Sequence, residues 1–465
     1  MHSGVAPTGG YTQRDQSITH IAPYSCAGRT NLDEGWPVPT SSSMAAGGSR
    51  RTRRRLRAVG VLLAVVPAVA AALWATGSSA AGPAPHPHTD AAGAAADRIH
   101  LIAATSMSVP VASGFVTRSG TRLLLNGRLF RFAGTNQYYL GLDDNIRDAA
   151  GNPTHPTTAR IDDALQSAVR TGATVVRSHT LGISVGCTGC FEPRPGVFSD
   201  SALGSADYAI YQAGRLGLKL MIPLTDQWRW YHGGESTFTG WTGYPNATDP
   251  SVNAASDAAQ RAAESHFYTD PAVVAAFRLY VNRLLNHVNP YTGLRYKNDP
   301  TIMAWETGNE LWTAPPAWTQ NFAAYLKRTV GVQQLVADGS AADGMAVADA
   351  AIRAPDIDIV GGHFYPIDVP TMRRDAAVAA SYGKAYVIGE FDWTTAAATA
   401  AQIAAVESDP NISGDLYWTL LPHLENGSPE PHGDGFAMYS PALDSRSAAI
   451  SAMLTAHGRR MAAMR

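Results

Sequence analysis

The chain has 465 residues, 45% of them hydrophobic, and a formal net charge of −2. That is ample apolar material for a large core, and it excludes a nucleic-acid-binding role carried by bulk positive charge. The charge is unevenly placed: residues up to 80 carry eight basic and three acidic side chains, whereas the rest carry 28 basic and 35 acidic ones.

The basic part reads as an export segment over residues 1–80. Arg50, Arg51, Arg53, Arg54, Arg55 and Arg57 precede an uncharged apolar run from Ala58 to Ala75, and Ser78-Ser79-Ala80 follows as a small-residue cleavage site. Thr52 to Leu56 resembles a twin-arginine signal. A retained run of this length would anchor the chain in a bilayer. Pro67 and the weakly hydrophobic alanines favour removal, so a secreted protein without stable membrane association is expected. Met44, just before the arginines, marks a second candidate start. Residues 81–113 are rich in Ala, Pro, Gly and His, the composition of a flexible linker, and His86 and His88 read as linker residues. Cys26 falls in the leader. Cys187 and Cys190, in a CTGC arrangement, are expected to form a local disulfide, since a zinc site needs two further ligands.

From residue 114 the pattern alternates between apolar strands and helices. Gly114 to Gly127 predicts a hairpin that caps the bottom of the domain, with turn signals at Ser119-Gly120 and Asn126-Gly127. LFRFAGTN (Leu129–Asn136) predicts the first buried strand, and helical periodicity follows over Thr158–Arg170. ATVVRSHT gives a second strand that ends in Arg177 and His179. LKLMIPLT (Leu218–Thr225) gives a third, after a helix around Ala206–Leu216. The next loop holds Trp228, Trp230, Tyr231, Trp241 and Tyr244, a density of aromatics suited either to stacking on sugar rings or to a small core of the loop's own. Asp270-Pro271 starts a helix that runs to about His287, with aspartate as N-cap and proline at N1.

The stretch DPTIMAWETGNELW (Asp299–Trp312) then predicts a fourth strand, turning abruptly polar at Glu306, Asn309 and Glu310. A fifth strand is expected over Gln333–Asp338. The sixth, IDIVGGHFYP, brings His363 and Tyr365 to its end, and the seventh, AYVIGEFDW, delivers Glu390. The eighth, DLYWTLLPH (Asp415–His423), contains Trp418; helices are expected over Thr394–Glu407 and Ser445–His457. Eight strands alternating with helices over 114–465, with no repeat and no second domain, make an α/β fold: a single (β/α)8 TIM barrel with a small N-terminal β-hairpin cap. Two strands that each present a glutamate to one rim supply a carboxylate pair, and that pair is the machinery of glycoside hydrolysis. Arg177, at the end of a buried strand, requires a partner or a ligand, because an unpaired buried charge is costly.

The run FYTDPAVVAAFRLYVNRLLNHVNPYTGLRYKNDPTIMAWETGNE (Phe267–Glu310) is similar throughout to the helix, loop and proton-donor strand of glycoside hydrolase family 5, and within it to the endo-β-1,4-mannanases. A looser likeness extends from about Gly114 to about His457 and includes the loop DQWRWYHGG. The resemblance implies a retaining enzyme in which Glu390 is the nucleophile and Glu310 the acid/base. On the same ground Arg177 and Tyr365 hold the nucleophile, His363 lies near the acid/base, Asn309 meets the sugar's 2-hydroxyl and Trp418 is a sugar platform. Trp228, Trp230 and Trp241 are the substrate-stacking candidates of the third loop. Glu306 does not match the family's Asn-Glu pair and is expected to be structural. His179 is a departure, since the family tends to carry tryptophan there. The chemistry calls for Glu390 ionised, helped by Arg177 and Tyr365, and for Glu310 protonated, helped by burial and its negative neighbour. The implied substrate is the β-1,4-mannan backbone of mannan, glucomannan or galactomannan. Endo-β-1,4-glucanase and exo-β-mannosidase are the alternatives on the same barrel; a sugar-binding protein without catalysis would have no reason to keep both carboxylates. No metal or organic cofactor is required, and a monomer is expected.

Overall fold

The computed structural model describes residues 114–229, 232–244, 258–340 and 346–464. The export segment and linker expected over 1–113 lie outside the described residues, as does Trp230. Among the described residues no helix is long and apolar enough to cross a membrane.

Eight strands close into a parallel barrel in chain order: Phe132–Asn136, Val175–Arg177, Lys219–Pro223, Ile302–Glu306, Leu335–Ala337, Ile359–Phe364, Ala385–Phe391 and Ile412–Tyr417. Their near-continuous apolar runs are what strands covered on both faces require. The outer faces meet the surrounding helices in one core that includes Ile161, Leu165, Ile210, Leu220, Phe277, Val281 and Trp305. Inside the barrel, a smaller cluster of Val175, Met221, Ala304, Leu335, Ile359, Val387 and Leu416 fills the lower half. Side chains two residues apart along a strand share a face. One step beyond Val175 and Ala304, that face carries Arg177 and Glu306, so the apolar plug ends where the polar rim begins.

The helices start as the sequence indicates. Thr157 caps Thr158–Arg170, Asp270 caps Pro271–Asn286 with proline in the first turn, and Asp444 closes a capping box on Ser445–Ala463. The last helix runs beyond the expected His457 because Met461 still finds buried surface. The cap is a three-stranded sheet, Val116–Ser119, Arg122–Leu125 and Arg128–Leu129, so Leu129 belongs to it and the first barrel strand begins at Phe132. A rim hairpin of Asp143–Arg147 with Pro153–Thr154 has no counterpart among the sequence expectations. Cys187 and Cys190 form the expected disulfide.

Candidate active site

The second strand carries Arg177 to the rim, where it is fully buried and surrounded by acceptors. Its Nε donates to Glu306 Oε2 at 2.8 Å and its Nη2 to Asn309 Oδ1 at 2.7 Å. Nη1 donates to Glu390 Oε1 at 2.7 Å and also lies 3.2 Å from Asn136 Oδ1 and 3.0 Å from His179 Nε2. A guanidinium has five N–H groups in a fixed fork, so one side chain orients five neighbours. Glu306, expected from the sequence to be structural, is thereby a partner of Arg177. Tyr365 completes the corner by donating its hydroxyl to Glu390 Oε2 at 2.9 Å. Burial raises the Glu390 carboxyl above its usual range and the charge of Glu310 adds to this; the charges of His363 and Arg177 and the Tyr365 hydrogen bond oppose the rise without cancelling it.

Glu390 lies side by side with His363 because the sheet is irregular at this point. The register between the sixth and seventh strands shifts after Gly362, so that His363 pairs with Glu390 and Gly389 is passed over. Bulges re-aim side chains in this way. Glycine is required at 389, since a Cβ there would stand 2.7 Å from His363 Nε2.

Glu310 reaches the same place by another route. It lies four residues past the end of the fourth strand, in left-handed backbone at φ +54°. For a residue with a Cβ that conformation costs on the order of 1–2 kcal/mol. His363 Nδ1 is 2.7 Å from Glu310 Oε1, and the Trp228 indole N–H donates to Oε2 at 2.5 Å. Burial works to raise Glu310, but the hydrogen bond and charge of His363, with Trp228 and Arg177, outweigh it and hold the carboxyl below its usual range. His363 moves the other way: burial lowers it, and the charges of Glu390 and Glu310 and the Glu310 hydrogen bond bring it above its usual value. This corrects the expected protonation of Glu310. Both shifts favour a proton on His363 over one on Glu310, because the imidazole is in contact with two glutamates.

One oxygen each of Glu310 and Glu390 and one nitrogen of His363 lie within 4.8 Å of one another, the one such donor grouping among the described residues. His363 Nδ1 already faces Glu310, and Tyr365 and Trp228 occupy carboxylate oxygens. That is the pattern of a proton-handling site rather than of a cation cradle.

Trp418 follows the eighth strand directly and is mostly buried. Tyr138 stacks on it at 5.4 Å and 14°, and its indole N–H donates to Asp434 Oδ2 at 2.6 Å. Asp434 also faces His432 Nε2 at 2.7 Å. Trp228 meets Trp312 edge-on beside Glu310. The structure does not bring Trp241 into this group: it packs edge-on against Phe238, over the core beneath the third loop, the reading in which the loop aromatics serve their own fold.

The sequence reading did not anticipate the surroundings of His179, nor Asp226 at all. His179 is fully buried, with Nδ1 3.1 Å from Asp226 Oδ2 and Nε2 facing Arg177. Burial, then the charges of Arg177 and His363, hold this imidazole far below its usual value, so it is neutral. Asp226 Oδ1 accepts from the backbone N–H of Trp228 at 2.7 Å and from Asn309 Nδ2 at 3.3 Å. Burial, with the charge of Glu310, raises the Asp226 carboxyl well above its usual range; these N–H donors and the charge of Arg177 oppose the rise without cancelling it. A buried strand that ends in two polar residues, as in LTDQW, was the available signal.

A family model described as "GH family 5 beta-mannosidase-like" matches residues 113–399, more than half of the chain. The chain is 32% identical over 251 residues to mannan endo-1,4-beta-mannosidase 3 of Arabidopsis thaliana, covering 51% of the chain and 55% of that protein. It is 26% identical over 409 residues to the putative mannan endo-1,4-beta-mannosidase 5 of Oryza sativa subsp. japonica, covering 75% and 77%. It thus spans about half the length of the Arabidopsis relative. The solved endo-1,4-beta-mannanase of Rhizomucor miehei superposes with a TM-score of 0.59 at 25% identity, over 75% of this chain and 100% of that one.

Proposed function

The chain belongs to glycoside hydrolase family 5, in its β-mannosidase-like part, and from that premise we propose that it is a retaining endo-β-1,4-mannanase. The observation that carries the reading is the pair of carboxylates at the barrel rim, with oxygens of Glu310 and Glu390 within 4.8 Å and in opposite surroundings. Retaining glycosidases hold their carboxyl groups about 5–5.5 Å apart, whereas inverting ones leave room for a water between them, at about 6.5–9.5 Å.

Glu390, held by Arg177 and Tyr365, attacks the anomeric carbon. A bond forms from C1 to the glutamate oxygen while the bond from C1 to the glycosidic oxygen breaks, and the leaving oxygen takes a proton from Glu310. That proton is supplied across the 2.7 Å contact from His363 Nδ1 to Glu310 Oε1. In the second half Glu310 takes a proton from water, the water oxygen bonds to C1, and the ester to Glu390 breaks. Asn309, its amide fixed between Arg177 and Asp226, is assigned the 2-hydroxyl of the sugar at the cleaved bond. Trp418, braced by Tyr138, is assigned the platform beneath that sugar, and Trp228 a place beside the leaving group.

The names of the relatives support β-1,4-mannan as the substrate. Incubation with linear mannan, galactomannan and carboxymethyl cellulose, followed by mass and chromatographic analysis, tests this. A ladder of manno-oligosaccharides is expected. Mannose alone would make the enzyme exo-acting, and cello-oligosaccharides would make it a glucanase. The arginine-rich segment and the apolar run after it support export, which N-terminal sequencing of secreted material tests. A monomeric state is part of the same reading and is tested by sedimentation.

A further inference from the structure

The guanidinium of Arg177 is permanently protonated, so every group that it faces at hydrogen-bond distance has to accept. His179 Nε2, 3.0 Å from Arg177 Nη1, is one of these groups. The imidazole is neutral and carries one proton, which must therefore be on Nδ1, and Nδ1 faces Asp226 Oδ2 at 3.1 Å. The other oxygen of Asp226 receives the Trp228 backbone N–H and the Asn309 amide. The Arg177 contact thus fixes the orientation of the ring, with Nδ1 turned toward the Asp226 carboxyl.

We propose that His179 and Asp226 form a tautomer lock, a pair of positioning residues that keeps Arg177 and Glu390 in reacting geometry. Asp226 belongs to both corners. Through His179 it reaches Arg177 and Glu390; through Trp228, whose backbone it holds and whose indole donates to Glu310 Oε2, it reaches the other carboxylate. His179 also lies 3.8 Å from Glu390 Oε1 and 5.6 Å from the ring of Trp418, between nucleophile and platform. A neutral imidazole in the opposite tautomer would aim an N–H at Arg177 and force the guanidinium away from it. This inference rests on the proposed roles of the two glutamates.

Asp226→Asn tests the lock. The asparagine is isosteric, and the Trp228 and Asn309 donors fix its carbonyl oxygen in the place of Oδ1, so its amide N–H₂ faces His179 Nδ1. His179 must then accept on Nδ1 and carry its proton on Nε2, against Arg177. The expected result is a loss of about 10- to 100-fold in kcat, the range that a small misplacement of reacting groups produces, with little change in KM and an unchanged unfolding midpoint. In a His179→Ala background the same substitution is expected to cause no further loss, because no imidazole remains to turn. Losses that multiply in the double variant, or an Asp226→Asn enzyme as fast as wild type, would overturn the proposal. Nitrogen-15 NMR of the wild-type imidazole provides a readout independent of folding of the variant and of substrate. Nδ1–H is expected, and an Nε2–H tautomer would overturn the lock. If the wild type cleaves no mannan, the functional reading fails while the NMR result still decides the tautomer.

Discussion

The two carboxylates of the site are held by different means. Glu390 belongs to a barrel strand and is gripped from both sides, by a buried arginine on one oxygen and a tyrosine hydroxyl on the other. Glu310 sits beyond its strand in left-handed backbone, and its neighbours are a histidine and an indole N–H. The first arrangement limits the rise in proton affinity that burial imposes on Glu390. The second sets an imidazole one hydrogen bond from the carboxyl, close enough for a proton to pass between them. Equal burial therefore does not mean equal chemistry, and the partners decide the roles.

Breaking the first corner is expected to have the largest effect. Glu390→Ala should lower turnover of mannan by about four orders of magnitude or more, the scale seen when a nucleophile is removed, with binding to the polysaccharide retained; near-normal turnover would remove the assignment. Breaking the second corner should be more selective. Glu310→Ala is expected to cost about 10²- to 10⁴-fold on mannan, the usual contribution of general acid catalysis, and much less on aryl mannosides whose leaving group needs no proton. Equal losses on both would shift the acid role to Glu306 or indicate misfolding. Glu306→Ala leaves Arg177 with one counter-charge fewer and should lower folding stability by about 3–5 kcal/mol, as removal of one partner of a buried pair does, measurable by urea unfolding. The smallest effect sharpens the comparison. Trp228→Phe removes an N–H that favours ionised Glu310, so Glu310 should hold its proton more tightly and the basic limb of the kcat/KM profile should move to higher pH. A shift to lower pH would contradict the role given to the indole.

Much of the barrel was legible because each strand is an apolar run closed by a polar residue, and the helix from Pro271 announces itself by its cap. Arg177, Glu310 and Glu390 were legible for the same reason: a charge at the end of a buried run needs a purpose. Less visible was anything created by pairing between strands far apart in sequence. Nothing local in DQWRW shows that Asp226 meets His179, or in VIGEF that a register shift turns His363 toward both glutamates. The lowering of the Glu310 carboxyl was illegible for this reason, since burial can be read from the neighbours in sequence whereas the histidine beside it cannot. The aromatics of the third loop were ambiguous for a different reason. A tryptophan whose indole N–H reaches Glu310 and one that packs on Phe238 look alike until the backbone places them, as Trp228 and Trp241 demonstrate.

The most direct test of the central claim is to trap the covalent intermediate. A 2-deoxy-2-fluoro-mannosyl fluoride slows both half-reactions and departs without acid assistance, so the enzyme should accumulate one fluoromannosyl group, detected by intact mass and located by peptide mapping. The expected result is a label on Glu390 alone, with Glu310→Ala still labelled. A label on Glu310 or Glu306, or mannan hydrolysis with inversion at the anomeric carbon and no label at all, would contradict the account.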